Sequence, residues 1–265
     1  MSTIFTMRLA DVTVGVSALH EDVFRMCADY VLDGSGPSAP DLQVSVVQED
    51  IERERALSVP GSAWSDAYLE TLAVYRKIAE WAPLRDRMLI HGASIEYAGR
   101  AYLFCAPSGT GKSTHVRLWR TYLGGAVDIV NGDKPLVRID RGRSSDTPPA
   151  ERPPRLPATV YGTPWCGKEG WQRNVSAPLA GICLLRRAQG PGESAIRRIE
   201  PVAALDFMMR QVYLPEHSDA AAATLELLDA LLARTPLFEL SCDMSEDAVR
   251  VSFEGLTGEP YPSRR

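Results

Sequence analysis

The stretch Pro107-Ser108-Gly109-Thr110-Gly111-Lys112-Ser113-Thr114 combines glycines, one lysine and hydroxyls at the spacing of a phosphate loop. Glycines let backbone N–H groups turn inward around phosphate oxygens, the lysine neutralises the terminal phosphates, and Ser113 offers a hydroxyl to Mg²⁺. The usual first glycine of the pattern is Ala106 here, with Pro107 and Gly109 still shaping a tight turn. These residues suit the phosphates of a nucleotide; a glycine turn that only joins strand to helix is the other reading. A second candidate follows downstream, where an apolar run over 126–130 ends in Asn131-Gly132-Asp133-Lys134. A carboxylate there, Asp133, is what Mg²⁺ needs beside the Ser113 hydroxyl. A plain turn aspartate is the other reading of Asn-Gly-Asp. Lys134, Lys168 and Arg173 are further cations for phosphate or substrate. The five cysteines are widely spaced with no Cys-x-x-Cys pair. Cys105 and Cys183 sit in apolar runs and are expected to be buried, whereas Cys166 lies in a polar, Gly-rich stretch that predicts exposure.

The elements that must carry these groups follow from periodicity. An apolar strand is predicted over 101–105 and a helix over 113–122 with Val116, Leu118 and Trp119 inward, so the loop joins strand to helix. The run 88–97 reads as a strand that turns at Ala98-Gly99-Arg100 into the loop strand, a hairpin entry that predicts a partly antiparallel sheet. A helix is predicted over 65–81, capped by Ser65, with Leu69, Leu72, Ala73, Ile78 and Trp81 on its apolar side. Ahead of it, strands over 5–16 and 42–48 and a helix over 21–31 suggest a small α+β unit spanning 1–62 without chemistry of its own. The remainder, 63–265, is expected to hold the catalytic domain. Its later part should contain strands over 180–185, 196–199 and 238–241 and helices over 201–213, 219–234 and 245–254. Leu225, Leu228, Leu231, Leu232, Met208 and Met209 are core candidates, and 141–157, with five prolines, reads as a mobile surface loop.

With 265 residues, 45% hydrophobic, 24% charged and net charge −5, the chain has the makeup of a soluble globular protein. That charge gives no attraction for nucleic acid or an anionic membrane, and no secretory leader pattern or membrane span stands in the sequence. A cytoplasmic protein is expected. The helical C-terminus is free to pack on its own domain or to form a homo-oligomer contact.

The order of Ile90-His91-Gly92-Ala93, then Ala106 to Thr114, then Asn131-Gly132-Asp133-Lys134-Pro135 resembles the HPr kinase/phosphorylase and ATP-dependent phosphoenolpyruvate carboxykinase superfamily. Together with Tyr161-Gly162-Thr163-Pro164-Trp165, these motifs are most similar to HPr-kinase-like serine kinases, which include kinases that tailor lasso-peptide precursors. The likeness spans roughly 65–254. It implies a carboxykinase-like α/β fold: a mixed, partly antiparallel central sheet around the phosphate loop, with the small N-terminal unit and a helical C-terminus. It also implies an ATP- and Mg²⁺-dependent kinase that moves the γ-phosphate to a hydroxyl, serine first, of a peptide, protein or small molecule. His91, Lys112 and Asp133 would be its catalytic residues, with His91 near the transferred phosphate. The family keeps two adjacent aspartates where this chain has Gly132-Asp133, so the identity of the general base stays open. Two other functions stand beside this one: a nucleotide-binding sensor or docking module without catalysis, and carboxykinase-type chemistry on oxaloacetate.

Overall fold

The computed structural model describes residues 3–34, 39–140, 158–190 and 192–262. The expected 141–157 loop lies outside the described residues. The chain opens with a hairpin of β1 (Thr3–Leu9) and β2 (Val12–Ala18), joined by Ala10 and Asp11, both at positive φ. Two successive positive-φ residues match the right-handed twist of paired strands. Helix α1 (Glu21–Cys27) follows, and β3 (Leu42–Ser45) adds in parallel to β2, closing a three-stranded sheet. That strand is shorter than expected, because the chain turns into helix α2 (Gln48–Leu57). Helix α3 (Asp66–Trp81) agrees with expectation: the Ser65 hydroxyl accepts the Tyr68 N–H at 3.2 Å, satisfying one of the orphan donors of the first turn. Its buried Leu69, Ala73, Val74, Tyr75 and Ile78 share one core with the small sheet and with Leu89, Leu136, Tyr161 and Trp165.

The expected single strand over 88–97 is two strands, β4 (Arg87–Leu89) and β5 (Gly92–Tyr97), parted at Ile90-His91. The turn Ala98-Gly99, again with both φ positive, leads into β6 (Arg100–Cys105). Then come α4 (Lys112–Leu123), β7 (Val127–Asn131), β8 (Leu136–Ile139), β9 (Ala158–Tyr161) and the long β10 (Ser176–Arg187). The chain continues through β11 (Ala195–Arg198), α5 (Pro201–Met209), α6 (Ser218–Arg234), β12 (Leu237–Cys242) and α7 (Glu246–Thr257). Nine strands form a mixed sheet in the order β4-β8-β9-β10-β6-β5-β7, with β12 on β10 and β11 on β12. The loop strand β6 lies antiparallel to β5 and parallel to β10.

Alternation along β6 builds a core on each face. Tyr102 and Phe104 pack with Val116 and Trp119 of α4 and Phe253 of α7, while Ala101, Leu103 and Cys105 join Leu227, Leu228 and Leu231 of α6. Trp119 is fully buried with its ring against Tyr102, Phe104 and Phe253, a packing of the kind worth about 3–5 kcal/mol, so α4 is held firmly on the sheet. Two core candidates point outward instead: Leu225 is 46% exposed and Met209 36%, since each lies on the solvent side of its helix. No helix among the described residues is long and apolar enough to cross a membrane.

Pairing also decides where the chemistry-bearing residues meet. Strand β5 is antiparallel to both β6 and β7, so those two run parallel and finish at the same end of the sheet. Cys105 pairs with Gly92, and Ser94 with Asn131. Adjacent strands lie about 4.8 Å apart, which places His91, the Ala106–Ser113 segment and Gly132-Asp133 side by side.

Candidate functional site

At that end of the sheet lies a cleft of about 540 Å³. The segment between β6 and α4 forms one wall through Ser108, Gly109, Gly111, Lys112, Ser113 and Thr114; His91, Gly132 and Asp133 stand opposite. Gly109 and Gly111 have φ of 77° and 120°, conformations that a side chain disfavours. Ala106 is not among the positive-φ residues and is buried, so the alanine in place of a first glycine costs the turn nothing. Lys112 opens α4, and its Nζ donates to the Ala106 carbonyl at 2.7 Å, arching over the segment. Burial lowers the Lys112 pKa, and the Asp133 carboxylate works against that shift. First-turn N–H groups of α4 and the dipole behind them add positive potential at the same wall.

Asp133 is presented by a turn that Asn131 organises. The buried Asn131 Oδ1 accepts the N–H of Asp133 at 2.9 Å and of Lys134 at 2.8 Å, while its Nδ2 donates to the carbonyl and hydroxyl of Thr163 at 3.0 and 3.1 Å. The Lys134 carbonyl accepts from Thr163 at 2.8 Å and from the Tyr75 hydroxyl at 2.6 Å. The Tyr75 ring in turn stacks on Trp165 at 4.0 Å, and Trp165 donates to the Thr71 carbonyl at 2.8 Å. Helix α3 and the segment after β9 thus hold the carboxylate from below. Asn131, Thr163 and Tyr75 were not singled out as site residues from the sequence; the Asn-Gly-Asp signal was present, but its long-range partners were not.

His91 Nε2 stands 3.4 Å from Asp133 Oδ1, and Lys134 Nζ 3.6 Å from Oδ2. Burial alone would raise the Asp133 pKa; the His91 hydrogen bond and the charges of Lys134, His91 and Lys112 overcome it and hold the carboxyl below its ordinary value. The backbone fixes His91 as well: its N–H donates to the Gln211 carbonyl at 2.7 Å, and Gly92 N–H to the Asp133 carbonyl at 2.9 Å.

Cys166, Gly167, Lys168 and Glu169 roof the cleft, with Tyr68 of α3 beside them. Glu169 is tied to Arg117 of α4 at 3.1 Å. Cys166 is 5% exposed, not open to solvent as its polar surroundings suggested, and burial and the Asp133 charge raise its pKa, which disfavours the reactive thiolate. Of the expected phosphate cations, Lys168 lines the cleft and Lys134 touches Asp133 from the far side. Arg173 does neither, being paired with Asp128 at 2.6 Å. Pro107 and Thr110 belong to a second, open cavity of about 340 Å³, which shares Ser108 and Gly109 with the first and is lined also by Arg187 and Phe207. Arg187 donates to the Gly109 carbonyl at 2.6 Å.

Gly132 has a steric cause. A Cβ at this position would lie 2.7 Å from the Cys166 carbonyl oxygen, a backbone atom, and 3.5 Å from Trp171 Cβ. The roof occupies the space a second acid would need. Gly132→Ala is therefore expected to cost about 1–3 kcal/mol by overpacking, read as a lowered urea midpoint with unchanged slope. An alanine variant as stable as the parent would show that the roof yields freely.

In comparisons with known proteins, no family model matches the chain and no curated protein matches its sequence.

Proposed function

We propose that the protein is an ATP-dependent phosphotransferase whose acceptor is a hydroxyl, with a fold of the carboxykinase-like phosphate-loop type. The observation that carries this reading is the convergence of Lys112, the N-terminus of α4, His91 and Asp133 on one 540 Å³ cleft. The resemblance of these motifs to HPr-kinase-like serine kinases supports it. Triphosphate would lie in the cleft along Gly109 to Thr114, with the nucleoside over the Ser108–Gly109 rim toward Phe207 and Arg187. Mg²⁺ takes few protein ligands and fills its shell with phosphate and water. Ser113 and Asp133, one hydroxyl and one carboxylate on the same cleft, suit that demand, and no cluster of three or more His, Cys, Asp or Glu that would cage a metal occurs among the described residues. When bound, Mg²⁺ neutralises charge on the β- and γ-phosphates.

In the step itself the acceptor oxygen forms a bond to the γ-phosphorus while the bond from that phosphorus to the β–γ bridging oxygen breaks. The electron pair leaves with ADP, and the hydroxyl proton passes to Asp133. A carboxyl held at a low pKa is a weak base, which suffices where the transition state is loose and the proton moves late. Lys112 and the loop N–H groups hold the γ-oxygens, and His91 orients the Asp133 carboxylate. The test is transfer of label from [γ-³²P]ATP with Mg²⁺ to a hydroxyl acceptor, alongside calorimetric nucleotide binding. Binding with transfer is expected, and absence of nucleotide binding would sink the reading.

A specific observation favours a second reading, a nucleotide-dependent sensor or docking module. The roof over Gly132 leaves Asp133 as the single carboxylate of the Asn131–Lys134 turn. Nucleotide binding without transfer to any acceptor would establish this reading instead.

A further inference from the structure

Another cavity, of about 320 Å³, lies against His91. His91 is common to both linings, and the Asp133-Lys134 turn divides them, with Asp133 on one side and Lys134 on the other. The walls are supplied by α3 with Leu72, Tyr75 and Ala79, and by the stretch after α5 with Val212 and Tyr213. The cleft thus shares Ser108-Gly109 with one neighbouring cavity and His91 with another. In an in-line displacement the entering and leaving oxygens lie on opposite sides of the phosphorus. With the nucleoside beyond Ser108-Gly109, the entering oxygen comes from the side of His91.

The chemistry of this wall describes the occupant. Its charged and phenolic groups are already engaged: Arg76 with Glu54, Arg210 with Asp206 at 3.0 Å, Lys134 with Asp133, and Tyr213 with Glu80 at 2.6 Å. Gln211 is the exception. It is 5% exposed, and its Oε1 is buried without a hydrogen-bond partner. That oxygen is closed off from the cavity, so the wall offers a ligand no open, unpaired charge. The volume lies at the lower end of small-molecule sites, room for one side chain with its flanking backbone or a compact free compound.

Resting on the phosphotransferase reading above, we infer that the His91–Gln211–Tyr213 cavity is the acceptor subsite. It takes a neutral hydroxyl compound with an apolar body. Its hydroxyl oxygen forms the bond to the γ-phosphorus as the bond to ADP breaks, and its proton goes to Asp133. The hydroxyl can be borne by a serine or threonine with apolar neighbours in a peptide, or by a free neutral alcohol.

The experiment uses the full chain with Mg²⁺ and [γ-³²P]ATP in two arms, an N-acetylated, C-amidated serine peptide library and a panel of free aliphatic and aromatic alcohols. Each is run on the parent and on Leu72→Trp, which fills the cavity from a partly buried position on α3. Leu72→Phe supplies a smaller filling should the tryptophan fail to fold. The proposal expects labelling in one arm, favouring neutral apolar members, and a loss of about 10²-fold or more in the filled variant. The Kd for a non-hydrolysable ATP analogue should stay within about twofold, which also reports an intact fold. Labelling unaffected by either filling, or a preference for charged acceptors, would overturn the subsite. Nucleotide-bound parent that labels neither arm would also overturn it, whereas a parent that binds no nucleotide brings down the phosphotransferase reading itself.

Discussion

Asp133→Asn should lower phosphate transfer by about 10²- to 10⁴-fold while leaving nucleotide affinity within a few-fold, the range typical for removing a general base. It also takes away the carboxylate that would share Mg²⁺ with Ser113, but it leaves the backbone of the turn as it is. The turn is built by Asn131 through the backbone N–H of residue 133 and Thr163, and these bonds persist in the variant. The amide oxygen can still meet His91, but it neither takes a proton nor carries the charge balanced by Lys112, Lys134 and His91. Single-turnover measurement with labelled ATP separates the two effects. A variant that transfers at the parental rate would remove Asp133 from the chemistry and leave a docking role as its explanation.

Lys112→Met should have the complementary signature. An ammonium hydrogen-bonded to phosphate contributes about 1.5–3 kcal/mol, so the Kd for ATP is expected to rise about 10- to 100-fold. Transfer should fall by about a further 10²-fold or more, because the same charge stabilises the γ-oxygens in the transition state. Stability should hold. Lys112 is 7% exposed, its charge is disfavoured by burial, and its one hydrogen bond is to a carbonyl of its own loop, so a neutral chain of similar length removes a desolvation cost. Calorimetric titration with ATP and a urea melt together check this. Unchanged affinity would mean that phosphate is not held along Lys112, against the proposed function.

Restoring the absent acid is not expected to rescue or accelerate the reaction. At position 132 a side chain meets the Cys166 carbonyl before it reaches the cleft, so Gly132→Asp must displace the roof that Glu169 and Arg117 tether to α4. The roof and the single carboxylate belong to one arrangement.

Local signals in the chain were enough for much of this. Ser65 ahead of an apolar stripe determined α3, Ala98-Gly99 between alternating residues determined the hairpin, and glycines before Lys112 determined the turn into α4, because each depends on neighbours a few residues apart. Helix α2 was missed for the opposite reason. Its Gln48–Leu57 sequence is mostly charged, and its buried Glu54 is tolerated only because Arg76 of α3 meets it. The break at His91 likewise has no local mark; it arises because β4 pairs with β8 while β5 pairs with β6 and β7.

The sequence by itself thus determined which residues could bind phosphate, and the order strand, glycine turn, lysine, helix, acid. Only the tertiary structure decided that His91, Lys112 and Asp133 share a cleft, that Arg173 stands apart from it, that Cys166 is buried, and that Gly132 is sterically required. Backbone conformation is chosen by near neighbours. Proximity between residues 91, 112, 133 and 166 is chosen by strand pairing and packing across the whole sheet, which no short window of sequence encodes.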